Sequence, residues 1–146
     1  MMDGSKMQSL VGHPRVRDAS GALHAISALG ANRVTVVAFW SRFCGWALDD
    51  LSALMETAKR LEKAGARMIV VMDGETGPSR ELTAFMEEKR MRVPVYFDVD
   101  HTTLRAFNNW GTPHYYVLDA GGRLRFGAVT SAAGAMARAE AVRLAP

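Results

Sequence analysis

Val34-Thr35-Val36-Val37-Ala38-Phe39-Trp40-Ser41-Arg42-Phe43-Cys44-Gly45-Trp46-Ala47 is the stretch on which the reading of this chain turns. Its first half, Val34 to Phe39, is a β-branched and aromatic run that is apolar on both faces, the pattern of a central strand covered by helices on each side. From Ala47 to Ala64 the apolar residues fall at 47, 48, 51, 54, 55, 58 and 61, steps of three and four that predict a helix with one buried face. Gly65 is placed to stop it. Cys44, the single cysteine of the chain, lies at the corner between strand and helix. There the exposed N–H groups and the positive end of the helix dipole favour a thiolate. An ordinary cysteine titrates near ~8.5, and a helix start lowers that to ~7 or below. A thiolate attacks disulfides, sulfenic acids or peroxides. The competing reading, a small buried hydrophobe, is disfavoured by the corner, which argues for partial exposure.

Outward from this stretch the chain alternates strand and helix. Before residue 34 it is polar and rich in turns, with short edge strands and a brief helical turn expected. Arg67 to Met72 is a second buried strand, closed by Asp73-Gly74. Ser79 to Arg90 is a helix with Leu82, Phe85 and Met86 inward, and Val93 to Phe97 a short strand with Pro94 at its beginning. His101 to Asn108 forms a short helix. Gly111-Thr112-Pro113 leads into the strand His114 to Leu118, Asp119-Ala120-Gly121-Gly122 is a hairpin turn, and Arg123 to Val129 returns. Ser131 to Leu144 is an alanine-rich closing helix. The order is that of an α/β layered domain with a mixed sheet. No repeat or linker interrupts it, so residues 1–146 read as one domain, with 1–15 as a flexible N-terminal segment.

The segment Phe39 to Ala47 resembles the active-site stretch of the thioredoxin superfamily, which runs from an aromatic pair to Cys-Gly-Pro-Cys. Here Cys44 stands for the first cysteine, Trp46 for the proline and Ala47 for the second cysteine. Gly111-Thr112-Pro113 resembles the cis-proline loop of that family. The helix and strand from Ser79 to Phe97, and the ending from Tyr115 to Phe126 (YYVLDAGGRLRF), are similar to the TlpA-like branch, whose members include membrane-tethered bacterial reductases. The resemblance covers residues 16 to 144. It implies a thioredoxin fold, with a central mixed β-sheet flanked by helices and a TlpA-like helix-strand insertion. It also implies a cis Pro113 that presents the Thr112 backbone to an extended substrate segment, and a Trp46 that supplies rim contact. Asp50 occupies a position where the branch often carries an acid, either a proton shuttle for Cys44 or a first-turn acid complementing the dipole. Ser52 replaces a kinking proline, which predicts a straighter helix.

The expected function follows from Cys44 and Ala47 together. The resemblance implies a thiol-disulfide oxidoreductase in which Cys44 attacks a substrate disulfide. Alanine at 47 cannot resolve the mixed disulfide that results, so a further thiol, glutathione or a membrane reductase, is needed as donor. The single-cysteine site is either natural or the product of a replaced resolving cysteine; the residues fit both. A redox-inactive protein-binding module of the same fold is the alternative, and a Cys44–Cys44 dimer stands beside the monomer. Partners are therefore protein thiols and disulfides. Ser41-Arg42-Phe43-Cys44 matches part of the peroxiredoxin pattern, but Val37 falls where that family has proline. Cys44-Gly45-Trp46-Ala47 is similar to the monothiol glutaredoxin motif, without the lysine and glycine landmarks that go with it.

Other functions find little support. His13, His24, His101 and His114 lack metal-ligand spacing, and no metal or cofactor is expected. The net charge of +3 comes from basic residues scattered along the chain, without the stripe interleaved with aromatics that nucleic-acid binding calls for. No window is apolar enough for a membrane span. Met1 to Met7 is too polar for a signal peptide. The expected location is periplasmic or membrane-tethered if an export signal has been trimmed, and cytoplasmic otherwise.

Overall fold

The computed structural model describes residues 14–144. The elements run β1 (Arg15–Arg17), β2 (Leu23–Ala25), α1 (Ile26–Gly30), β3 (Thr35–Trp40), α2 (Gly45–Asp49), α3 (Leu51–Lys63), β4 (Arg67–Met72), α4 (Arg80–Glu88), β5 (Val95–Asp98), α5 (Thr102–Phe107), β6 (His114–Leu118), β7 (Leu124–Val129) and α6 (Ala132–Leu144). Of the N-terminal segment expected to be flexible, residues 1–13 lie outside the described residues, while Pro14 is buried and Arg15 opens β1.

Seven strands form one mixed sheet in the order β2-β1-β5-β4-β3-β6-β7. β3, β4 and β5 run parallel, with Val37 opposite Ile69 and Val71 opposite Tyr96. β6 lies antiparallel to β3, pairing Phe39 with His114, and β7 antiparallel to β6. β3 is thus flanked on both sides and all six of its residues are buried, which is what its continuous apolar run anticipates.

Alternation along the strands sorts the core into two layers. Val36, Ala38, Trp40, Met68, Val70, Tyr115 and Val117 face one way, against Leu54 and Leu61 of α3, Leu82 of α4, and Ala135 and Ala139 of α6. Val37, Phe39, Ile69, Val71, Tyr116 and Leu118 face the other way, against Ile26 and Leu29 of α1 and Phe107 of α5. The small alanines let α6 approach the sheet closely. Phe39, Phe107 and Tyr116 meet as tilted and edge-to-face rings with centroids 4.8–5.7 Å apart.

Helix ends follow the local chemistry. Ser79 caps α4, its hydroxyl accepting the Leu82 N–H at 3.0 Å. α3 stops at Gly65, whose φ of +80° suits glycine. The Ala66 and Gly65 amides return to the Leu61 and Glu62 carbonyls at 2.9 and 3.1 Å, a Schellman end.

One expectation is corrected. The helix predicted from Ala47 to Ala64 is not straight: it breaks at Asp50 into α2 and α3, although no proline is present. The Ala47 carbonyl accepts the Trp40 indole N–H at 2.9 Å as well as the Asp50 amide at 3.1 Å, and that amide is shared with Trp46 O at 3.2 Å. Competition for these carbonyls disturbs the ladder where a proline is not needed to do so.

Candidate active site

β3 delivers the chain to the C-terminal end of the parallel strands, and α2 begins after the four residues 41–44. Cys44 is the N-cap of α2, with extended backbone at φ −110°, ψ 122°. Its sulfur is half-buried and lies 3.4 Å from the carbonyl oxygen of Thr112. The Thr112–Pro113 bond is cis. Residues 68 positions apart are thus brought into contact.

The surroundings hold the Cys44 thiol below its ordinary range. The largest cause is the Thr112 side chain, followed by the amide of Ala47; the amide of Trp46 adds less, while burial and the Asp73 carboxylate push the other way. The Thr112 carbonyl by itself suits the protonated thiol, whose S–H it can accept. The donors outweigh it, so each protonation state has a partner and the thiolate forms more readily than in a free cysteine.

Ala47 is fully buried, packed in the α3/α6 layer with Cys44 against it. One helical turn from Cys44, it presents a methyl group and no second thiol. Trp40 is also core, its indole spent on the Ala47 carbonyl. Of the three aromatic residues nearest Cys44 in sequence, Trp46 is 79% exposed and Phe43 61% exposed, so these two and not Trp40 belong to the rim. Arg42 lies 4.2 Å over the Phe43 ring and pairs with Glu75 at 3.2 Å, tying the loop after β4 to the cysteine loop. The Ser41 hydroxyl accepts the Phe43 N–H at 3.1 Å, which engages it within its own loop.

Asp50 accepts the Tyr115 hydroxyl at 2.5 Å and the Ala132 amide at 3.2 Å on the same oxygen. Burial and this carboxylate together raise the Tyr115 pKa far above that of a free phenol. The acid thereby joins the start of α3, strand β6 and the first turn of α6. Asp50 also faces the groove of about 470 Å³ beside Thr112 and Pro113, a groove shared with Trp46, Asp49 and Trp110.

Sequence reasoning passed over Trp110 and weighed His114 only as a metal ligand. Trp110 is 83% exposed and meets the His114 ring edge-on at 4.6 Å. His114 is buried against Asn109, Nδ1 to Oδ1 3.0 Å, and Asn109 Oδ1 also accepts the Tyr116 hydroxyl at 2.9 Å. Burial lowers the His114 pKa. A tryptophan two residues before Thr112 was the available signal. Among the described residues no group of histidine, cysteine and acid side chains could hold a metal ion, and no helix is long and apolar enough to cross a membrane.

Residues 11–126 match the model of the AhpC/TSA family. The chain belongs to that family. Solved structures place this AhpC/TSA-family chain among thioredoxin folds. A secreted thiol-disulfide isomerase from Corynebacterium glutamicum superposes with a TM-score of 0.77 at 17% identity, over 98% of this chain and 90% of that one. The thioredoxin domain of a thiol-disulfide oxidoreductase from Bacteroides vulgatus gives 0.73 at 17%, over 94% and 98%. A thiol:disulfide interchange protein of the thioredoxin family from Chlorobium tepidum gives 0.71 at 17%, over 92% and 97%. At these identities the likeness speaks for the fold. No curated protein matches the sequence. Family membership supports a general redox function.

Proposed function

We propose that the chain is a thiol-disulfide oxidoreductase that works through Cys44 alone. The Cys44 thiolate attacks one sulfur of a substrate disulfide; that S–S bond breaks, a Cys44–substrate disulfide forms, and the departing thiolate takes a proton from water. A thiol donor such as glutathione or a reductase then displaces Cys44, because residue 47 is alanine. The observation that carries this reading is the half-buried Cys44 sulfur at the start of α2, 3.4 Å from Thr112 O beside the cis Pro113, with its pKa held down. Thr112 and Pro113 form the edge along which an extended substrate lies, and Trp46 covers its flank. Asp50, bonded to Tyr115 and Ala132, serves as a positioning residue.

Alkylation of Cys44 by iodoacetamide across pH tests the proposal. The expected midpoint lies below the ordinary ~8.5; a midpoint at or above that value overturns the reading. The burial of the Ala47 methyl in the core favours a second reading, a binding module that does not cycle. Insulin reduction with glutathione as donor separates the two, since sustained turnover is incompatible with a module.

A further inference from the structure

We propose that the groove between Trp46 and Trp110 receives a basic side chain, arginine or lysine, of a substrate polypeptide, next to the cysteine whose disulfide Cys44 attacks. This rests on the reading of Cys44 as the attacking thiol and names the substrate class for that site.

Two of the three tryptophans in the chain stand 79% and 83% exposed on the walls of one groove, while the third is fully buried. Leaving two large apolar rings in water is unfavourable unless something covers them. The groove's charge says what kind of group. Asp49 and Asp50 line it, no lysine or arginine among the described residues does, and the histidine there, His114, has a pKa lowered by burial. Asp73 adds a further carboxylate close enough to act on Cys44. Arg42, the cation nearest in sequence to Cys44, is taken up by Glu75 and the Phe43 ring. The surface is therefore aromatic and acidic on a chain that is basic as a whole.

A guanidinium or ammonium group meets both requirements. It is attracted to the face of an indole, the best of the aromatic rings for a cation, and to the carboxylates, while its methylene stem covers apolar surface. The occupant is a polypeptide because Thr112 and Pro113 form one wall of the groove, and the Thr112 carbonyl is also the contact of Cys44. A strand laid along that edge with its cysteine at Cys44 places a neighbouring side chain between the tryptophans.

Symmetrical disulfides of blocked tripeptides, with arginine, norleucine or glutamate beside the cysteine, provide the test. Formation of the Cys44 mixed disulfide is followed by mass spectrometry. Each rate is divided by the rate at which the uncharged thiol 2-mercaptoethanol attacks the same disulfide, which removes the intrinsic reactivity of the peptide. The arginine peptide is expected to react about five- to tenfold faster than the glutamate peptide, with norleucine between them, a preference of the size a cation–π contact with a nearby carboxylate produces. Trp110→Ala and Asp49→Asn, each at an exposed position, are expected to bring the arginine-to-glutamate ratio towards one. A ratio near one in the unaltered chain, or norleucine ahead of arginine, overturns the groove proposal. Slow reaction with every peptide and with neutral 2-hydroxyethyl disulfide overturns the attacking-thiol reading instead.

Discussion

At the scale of single residues, Thr112 touches the reactive sulfur in two opposed ways. Its carbonyl offers an acceptor to the S–H, and its side chain is the largest influence holding the thiol pKa down. Thr112→Ala keeps the first and removes the second. The alkylation midpoint of Cys44 is therefore expected to rise towards the ordinary ~8.5 in that variant, and a midpoint unchanged or lowered would mean that the α2 amides alone set it. The same shift has a consequence for stability. A group that ionises more easily folded than unfolded contributes stability above its unfolded pKa and loses it as pH falls through its folded pKa. The advantage of the unaltered chain over Cys44→Ala should grow as pH climbs from the folded value towards the unfolded one. Cys44, Ala47, Thr112 and Pro113 were legible because each has a fixed place in a motif. Trp110 and Asp49 were not, because exposure and grouping in a groove depend on packing that no local pattern carries.

Among the elements, the least expected feature is the junction at Asp50. Periodicity described the buried face of α3 well, with Leu51, Leu54 and Leu61 inward as anticipated. It could not foresee the break, whose causes lie outside the helix: the Trp40 indole on the Ala47 carbonyl, and the Tyr115 hydroxyl and Ala132 amide on the Asp50 carboxylate. Strands β4 and β6, by contrast, have the limits their apolar runs suggest, since every residue of β6 and all of β4 after the half-buried Arg67 are buried. The junction at Asp50 predicts a stability effect. Asp50→Ala leaves the fully buried Tyr115 without its acceptor and the Ala132 amide at the start of α6 without its carboxylate partner, while Ser131 still accepts the Gly134 N–H. Hydrogen bonds to charged groups are worth about 1.5–3 kcal/mol, so urea unfolding is expected to show a loss of about 2–4 kcal/mol. Tyr115→Phe, which removes only one partner, should cost less. A loss under about 0.5 kcal/mol, the size of an ordinary surface change, would show that the junction holds nothing together.

On the scale of the whole molecule, the fold separates two kinds of surface. Several basic residues that look scattered in the sequence gather at the end of the sheet opposite Cys44, where Lys59, Arg60, Lys63, Arg67, Arg90 and Arg92 outnumber Glu56 and Glu62 in a groove of about 850 Å³ without an aromatic ring among the described residues. The Cys44 end carries Asp49, Asp50, Asp73 and the exposed aromatics. The strand order β2-β1-β5-β4-β3-β6-β7 was not legible in the sequence, because local pattern does not fix crossovers. The separation bears on the Cys44-linked dimer. A disulfide requires Cα atoms within about 4.4–6.8 Å, so two copies would have to press their acidic faces together, with Phe43 and Trp46 of each rim interposed. The half-buried sulfur adds to the obstruction. A small cationic disulfide meets neither obstacle. Incubation with cystamine is therefore expected to yield a monomer carrying one cysteamine, with little dimer on non-reducing electrophoresis. A majority of linked dimer under those conditions would mean that the rim yields to a second copy, and that neither its charge nor its aromatic walls govern access to Cys44.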